Sequence, residues 1–379
     1  MLRHFCDTND LQTLTYGFDC YSEQAKQKIQ QACDAPDADV FLLVGGTQTN
    51  TTVIDGMLRS YEAVVCAATG HIAVHESGAI ERSGHKVITL PSHLGKLAAA
   101  DLEQFMQEFE ADESRDHVAQ PGMVYISLPT ELGTLYTSNE IVAIEQVCRK
   151  HSLKLFIDGA RLGYGIEASN GDITLPFLST HCDAFYIGGT KVGALCGEAV
   201  VFPHHGAPRC FFSIIKQHGA LLAKGRLAGV QFDALFTKET NGKPLYLNIS
   251  QHAIQMAMRL KELLQQKGYR FYIDSPTNQQ FVVLPNDEVR RLEQLVQFTH
   301  WGPFDNDHTI TVDNTAAMVF NAGNGPLSFR GNSYCFGDNA LTISPNGKIG
   351  INTLNNTPDF MLAVDGGIIS TKVHIKEVK

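Results

Sequence analysis

Four short stretches of this 379-residue chain carry side chains that can do chemistry. Lys191 lies in the turn Gly188-Gly189-Thr190-Lys191-Val192-Gly193-Ala194, directly after the apolar run Phe185-Tyr186-Ile187. A lysine there stands at the mouth of a sheet with little crowding and can act as an amine nucleophile. A plain surface lysine after a strand is the competing reading. The spacing is not that of a G-x-x-x-x-G-K-[ST] phosphate loop. Asp158-Gly159-Ala160-Arg161 offers an acid at a strand end, able to pair with a protonated ring nitrogen. Its arginine offers a planar fork to a carboxylate or ring oxygen. A structural Asp beside a surface Arg competes with that. Gly45-Gly46-Thr47-Gln48-Thr49-Asn50 is either a turn that turns N–H groups and hydroxyls toward an anion, or an ordinary turn with a Thr cap. His71-Ile72-Ala73-Val74-His75-Glu76-Ser77-Gly78 alternates like a strand, which puts both histidines on one face. Ring stacking or acid–base work competes there with a satisfied structural histidine. The stretch is not H-E-x-x-H, so no metal is expected.

These residues need a frame that presents strand ends. From about 20 to 240 strand-like and helix-like segments alternate. A helix is expected over 22–33, with Ser22 as cap and Glu23 in its first turn. Residues 41–44 read as a short buried strand, followed by a helix over about 51–61 and strands over 64–68 and 86–90. The clearest unit is a strand over 123–128, a capping box at Thr137-Ser138-Asn139-Glu140, a helix over 141–151 and a strand over 153–157. Such a β-α-β crossover implies parallel strands, and open sheets of that kind bind ligands at their carboxyl ends. Beyond about 245 the pattern changes to a small α+β region. It has a helix over 251–267 stopped by Gly268, strands near 270–273 and 280–284, a helix from Asn286 to about Phe298, and a strand over 308–312. After about 313, Asn and Gly become frequent and turn signals such as Pro345-Asn346-Gly347 appear.

Bulk properties narrow the partners. The formal net charge is −10, from 40 acidic and 30 basic residues, which argues against nucleic acid as a main partner. A local site for one small phosphate stays open. The nine cysteines are scattered without a C-x-x-C pair, as free thiols in a reducing compartment would be. No apolar stretch approaches the roughly 20 residues that cross a bilayer. The expectation is a cytoplasmic protein with no membrane partner.

Taken in order, G-G-T-Q-T-N, H-x-x-x-H-E-x-G, P-T-E-x-G-T-x-Y (Pro129 to Tyr136), D-G-A-R-L and G-G-T-K make about residues 8–312 resemble the threonine aldolase/β-eliminating lyase family. These are fold-type I pyridoxal-phosphate (PLP) enzymes. The resemblance implies an α/β large domain with a mostly parallel sheet, a small α+β domain and PLP as cofactor. It implies that Lys191 is the Schiff-base lysine and that Asp158 partners the pyridine nitrogen. His71 would stack on the ring and serve catalysis. Gly46, Thr47 and Gln48 would cradle the phosphate. Arg161 would sit near the ring oxygen and the substrate carboxylate. Lys224 and Arg226 match basic groups that reach the phosphate, often from a neighbouring subunit, although solvated surface charge competes there. A homo-oligomer, dimer or tetramer, follows. The implied reaction is cleavage of a small β-hydroxy-α-amino acid to glycine and an aldehyde, with PLP-dependent β-elimination as the alternative.

Both ends depart from the family. Met1-Leu2-Arg3-His4-Phe5 looks like the inside of the family's first helix, and Val312 stands at or near the position of a carboxylate-binding arginine. The small domain reads as truncated, which predicts weak turnover. The tail, with Asn346 to Asn352 and Met361 to Ile369, resembles phage tail-fibre-like β repeats that often trimerise. The expected divisions are 1–20, 21–244, 245–312 and a β-rich appendage over 313–379. A further reading from another class is a catalytically impaired chimera in which the PLP-type domain is a scaffold for the tail module.

Overall fold

Runs of β-branched and aromatic residues make seven strands: β1 (Asp39–Leu43), β2 (Glu62–Ala67), β3 (Val87–Leu90), β4 (Gln120–Ser127), β5 (Lys154–Asp158), β6 (Ala184–Gly188) and β7 (Glu198–Phe202). In the computed structural model they form one sheet in the order β1-β7-β6-β5-β4-β2-β3. β6, β5, β4, β2 and β3 are parallel neighbours. β7 is antiparallel to both β1 and β6, so it alone runs against the rest. The described residues are 2–293, 298–313 and four three-residue strands, Tyr334–Phe336, Leu341–Ile343, Ile349–Ile351 and Leu362–Val364.

Side chains on a strand alternate between faces. Val65, Val124, Ile126, Leu155, Ile157, Phe185 and Ile187 therefore share one core. Val64, Met123, Tyr125, Phe156, Ala184, Tyr186 and Val200 share the core on the opposite face. Both faces are covered by helices, as a parallel sheet requires. The crossover expected near 123–158 is present, with the helix Ser138–Lys150 between β4 and β5. Its capping box is complete: Thr137 N–H donates to Glu140 Oε2 at 2.8 Å, and Glu140 N–H donates to Thr137 Oγ1 at 3.2 Å.

Several expected elements need correction. The helix expected over 22–33 with Ser22 as cap spans Cys20–Ala32, and its N-cap is Asp19, which accepts from Ser22 N–H at 3.0 Å. The helix expected from Asn286 to about Phe298 ends at Leu292, and the one expected over 251–267 begins at Leu245. The helix expected from about Thr51 begins five residues earlier and spans Gly46–Met57, with Gly45 as its N-cap. Its threonines concealed it, because β-branched hydroxyl residues read as loop. Thr51 and Thr52 instead return their hydroxyls to Thr47 O and Gln48 O at 2.9 and 2.7 Å. The expected strand through His71 is a one-turn helix, His71–Val74, entered through a tight turn in which Gly70 N–H donates to Ala67 O at 2.7 Å. The histidines still share a side, because i and i+4 also meet on a helix. Their ring centroids are 5.5 Å apart.

The chain divides into two compact units, one running to Phe281 and the other beginning at Val282. The long helix Leu245–Gln266 belongs to the first. It buries Tyr246, Ser250, Ala253 and Ala257, a helical stripe. In the second unit the helix Asn286–Leu292 precedes an antiparallel pair, Thr299–Pro303 with His308–Asp313, whose register shifts between His300 and Gly302. Among the described residues, Val282, Val283, Leu284, Val289, Ile310 and Val312 are its buried apolar residues. The tail repeats expected after 313 lie outside the described residues, apart from the four short strands, which form one sheet.

Candidate active site

The alternation that builds the core also aims the site. Phe156 belongs to the face that carries Tyr125 and Tyr186, so Asp158, two residues on, emerges on that face at the carboxyl end of β5. Asp158 is 4% exposed. Its Oδ2 accepts from Tyr125 Oη at 2.5 Å and Asn50 Nδ2 at 3.0 Å. Its Oδ1 accepts from Tyr186 Oη at 2.5 Å and Ala160 N–H at 2.9 Å. Burial alone would raise its pKa, but these four donors outweigh burial and hold it below the usual carboxylate value. Asp158 is a fixed negative charge. Gly159 lets β5 turn there: a Cβ would stand 1.9 Å from Tyr186 O.

A second chain of hydrogen bonds leads from Asp158 to His71. Asn50 Nδ2 also donates to Glu76 Oε1 at 2.7 Å, and the same oxygen meets His71 Nδ1 at 2.8 Å. Burial lowers the His71 pKa, yet the bond to Glu76 and the charges of Asp158 and Glu76 raise it above the ordinary histidine value. Glu131 fixes the backbone of the same residue, accepting from His71 N–H at 2.9 Å and from Ser127 Oγ at 2.5 Å. Burial pushes the Glu131 carboxyl up.

Lys191 follows β6 in a turn held from several sides. Gly189 and Thr190 donate their N–H groups to Gly197 O at 3.0 and 3.1 Å. Tyr164 Oη donates to Lys191 O at 2.6 Å, and Tyr246 Oη donates to Gly188 O at 3.0 Å. Burial, then the nearby Arg161 charge, lowers the Lys191 pKa against the pull of Asp158, Glu198 and Glu131. Burial likewise lowers the Arg161 pKa. No acceptor among the described residues bonds Lys191 Nζ or the Arg161 guanidinium, although both line one cavity of about 270 Å³.

The cavity brings together Gly46, Thr47, His71, Asp158, Arg161 and Lys191 from the residues singled out in the sequence. Gln48 is one residue outside its lining, in the first turn of the helix Gly46–Met57, with its Oε1 buried and unpartnered. Lys224 and Arg226 do not line it either. Lys224 is exposed, and Arg226 donates to Thr8 O at 2.9 Å and Thr8 Oγ1 at 3.1 Å. Residues that sequence reasoning left without a role also meet here: Glu76, Glu131, Tyr186, Ser127 and Glu198. Glu76 and Glu131 lay inside the quoted motifs. Glu198 had one signal, a lone acid opening the apolar run Ala199-Val200-Val201-Phe202.

This donor set fits a flat anionic cofactor with a basic ring nitrogen. Its lining holds a fixed buried carboxylate, a Gly-rich helix start and two basic groups that no acceptor among the described residues bonds. Residues 10–296 match the beta-eliminating lyase family, and the chain belongs to it. Among individual proteins, it is 28% identical over 251 residues to the low specificity L-threonine aldolase of Pseudomonas aeruginosa, spanning 66% of this chain and 70% of that protein. The solved structure of Leishmania major threonine aldolase is 36% identical, with a TM-score of 0.78 over 85% of this chain and 94% of that one. A putative L-allo-threonine aldolase from Listeria monocytogenes shares the fold at 15% identity, with a TM-score of 0.64 over 85% and 88% of the two chains.

Proposed function

We propose that this chain is a PLP-dependent aldolase that cleaves small, threonine-like β-hydroxy-α-amino acids to glycine and an aldehyde. The observation that carries the reading is the fixed Asp158 charge facing the same cavity as Lys191 and Arg161, two basic groups without a partner among the described residues. PLP, when bound, supplies an electron sink at the substrate α-carbon. The chain does the rest. Asp158 keeps the ring nitrogen protonated, because a carboxylate held charged stabilises the opposite charge beside it. Lys191, with its pKa lowered, has a larger share of neutral amine to offer the cofactor carbonyl. Arg161 offers its fork to the substrate carboxylate. His71, with Nδ1 anchored on Glu76, keeps Nε2 for the proton of the β-hydroxyl.

The family match also covers β-elimination, in which the α-proton leaves before the β-substituent. Incubation with threonine separates the two. Glycine and acetaldehyde support the aldolase, and an oxo acid with ammonia makes the chain an eliminating lyase. Turnover is weak in this reading, because Val312, buried in its own unit, stands where the family resemblance expects an arginine for the substrate carboxylate. If PLP binds but neither product pair forms, the impaired-scaffold reading stands. The functional unit is a homo-oligomer in the cytoplasm. Lys224, which is exposed, and Arg226, bonded to Thr8 of its own chain, do not line their own cavity, and the family resemblance assigns both to the phosphate of a neighbouring copy. Among the described residues no helix is long and apolar enough to cross a membrane.

A further inference from the structure

We infer that Glu198 is the proton acceptor for cofactor capture: the anionic phosphate of PLP enters this cavity together with a proton that settles on the Glu198 carboxyl. The inference rests on the cofactor reading above. Its basis is position. Glu198 opens β7, and its register partners are Leu43 at the end of β1 and Gly188 at the end of β6. It shares the sheet face of Val200 and Phe202, the face that also carries Leu43, Tyr186 and Tyr125. Across the carboxyl end of the sheet the order is therefore the helix start at Gly45 to Thr47 after β1, Glu198 on β7, Gly188 on β6 and Asp158 on β5. Glu198 stands between the anion-binding helix start and the ring-nitrogen acid.

A carboxylate there is in the wrong charge state for a phosphate, which carries about −1.5 to −2 at neutral pH. Glu198 is 3% exposed, so water does little to screen the repulsion. One oxygen, Oε2, accepts from Gly189 N–H at 2.9 Å. That bond fixes the carboxyl against the lysine turn, so it cannot swing away from the cavity it lines. The charged or titratable groups that act on it are Lys191 on the turn, Asp158 on β5, Tyr186 on β6 and Tyr246 on the long helix, and Cys196, Arg161, Glu131, Glu76 and His71 line the same cavity. Asp158 opposes a second negative charge, and Lys191 favours it. Burial dominates and pushes the Glu198 carboxyl up to about 7, where taking up a proton costs little. Once protonated, Glu198 no longer repels the phosphate and offers a hydroxyl donor, while Oε2 keeps its bond to Gly189.

The test is PLP affinity, measured by equilibrium binding at constant ionic strength from about pH 6 to about pH 9, in wild type and Glu198→Gln. Glutamine keeps the acceptor for Gly189 and removes the titration. Lys191→Ala in both backgrounds removes the lysine's own proton from the comparison. Coupled uptake of one proton weakens binding by up to about tenfold per pH unit above the Glu198 pKa. With that pKa near 7, the chain carrying Glu198 should lose up to about a hundredfold more affinity between pH 7 and pH 9 than its glutamine counterpart. Equal slopes in the two, with binding intact, overturn the inference. If Glu198→Gln does not fold, calorimetry of the Lys191→Ala protein decides. In buffers of different ionisation enthalpy, inorganic phosphate, which carries no ring nitrogen for Asp158 to protonate, should bind with net proton uptake near pH 8, and binding without uptake overturns the inference. If PLP fails to bind wild type at any pH, the cofactor reading itself falls and takes this inference with it.

Discussion

Glu198→Gln should also change how stability depends on pH. Burial raises the Glu198 carboxyl from 4.5 to about 7, against the pull of the Thr190 hydroxyl, Gly189 N–H and Lys191. The folded chain thus holds this proton more tightly than the unfolded chain. Relative to a neutral side chain, the stabilisation is fully present below about pH 4.5 and is lost as pH rises through about 7. A rise of about 2.5 pH units, at 1.36 kcal/mol per unit, sets the size at about 3 kcal/mol. The group is nearly inaccessible, so solvent screening takes little from that figure. The assay is urea unfolding of wild type and variant at fixed protein concentration, from about pH 4 to about pH 8. The wild-type unfolding free energy should fall by about 3 kcal/mol relative to the variant across that window. Parallel profiles would show that Glu198 is already charged in the folded protein, and the electrostatic account of the β7 end would be wrong.

Other consequences follow from the same geometry. Glu76→Gln removes the charge and weakens the bond that raise the His71 pKa, so the imidazole titration followed by NMR should move to lower pH, and an unmoved titration would detach His71 from Glu76. Gly159→Ala sets a methyl 1.9 Å from Tyr186 O, and its cost should sit at or above the upper end of the roughly 1–3 kcal/mol typical of overpacking. Gly45→Ala, with nothing within 4 Å of the added methyl, should cost only the roughly 1 kcal/mol of replacing an N-cap glycine by alanine. Similar losses in the two would mean that the β5–β6 approach is looser than described. Asp158→Ala leaves the buried Tyr125 and Tyr186 hydroxyls without their acceptor and should cost at least about 2 kcal/mol in urea unfolding, whereas an unchanged midpoint would mean that the phenols find other partners.

Much of the frame was legible because buried parallel strands are short apolar runs with polar punctuation. Asp158 and Lys191 sit at such punctuation, the first residue after an apolar run and the turn that follows one. Elements hidden in short windows were harder. Over His71 to His75, an alternation of period two and a single helical turn both put the two histidines on one side, and only the Gly70 turn and the Glu131 acceptor select the helix. The start of the helix Gly46–Met57 was concealed by threonines whose hydroxyls fold back onto its own carbonyls. The second half of the site could not be read from local pattern at all. Tyr125 and Tyr186 look like ordinary core aromatics until the strand order puts β4 and β6 on either side of β5, so that both phenols reach Asp158. Glu198 acquires meaning only because β7 runs against its neighbours and presents its first residue, rather than its last, at the end where Asp158 and Lys191 lie.

The central claim is that Lys191 is the amine that holds PLP in this cavity. Mixing the protein with excess PLP, reducing with borohydride and locating the modified peptide by mass spectrometry tests it directly. The account predicts a visible absorbance band before reduction, one reduced pyridoxyl group per chain on Lys191, and loss of both in Lys191→Ala. A label on another lysine, or no band and no label, would contradict it.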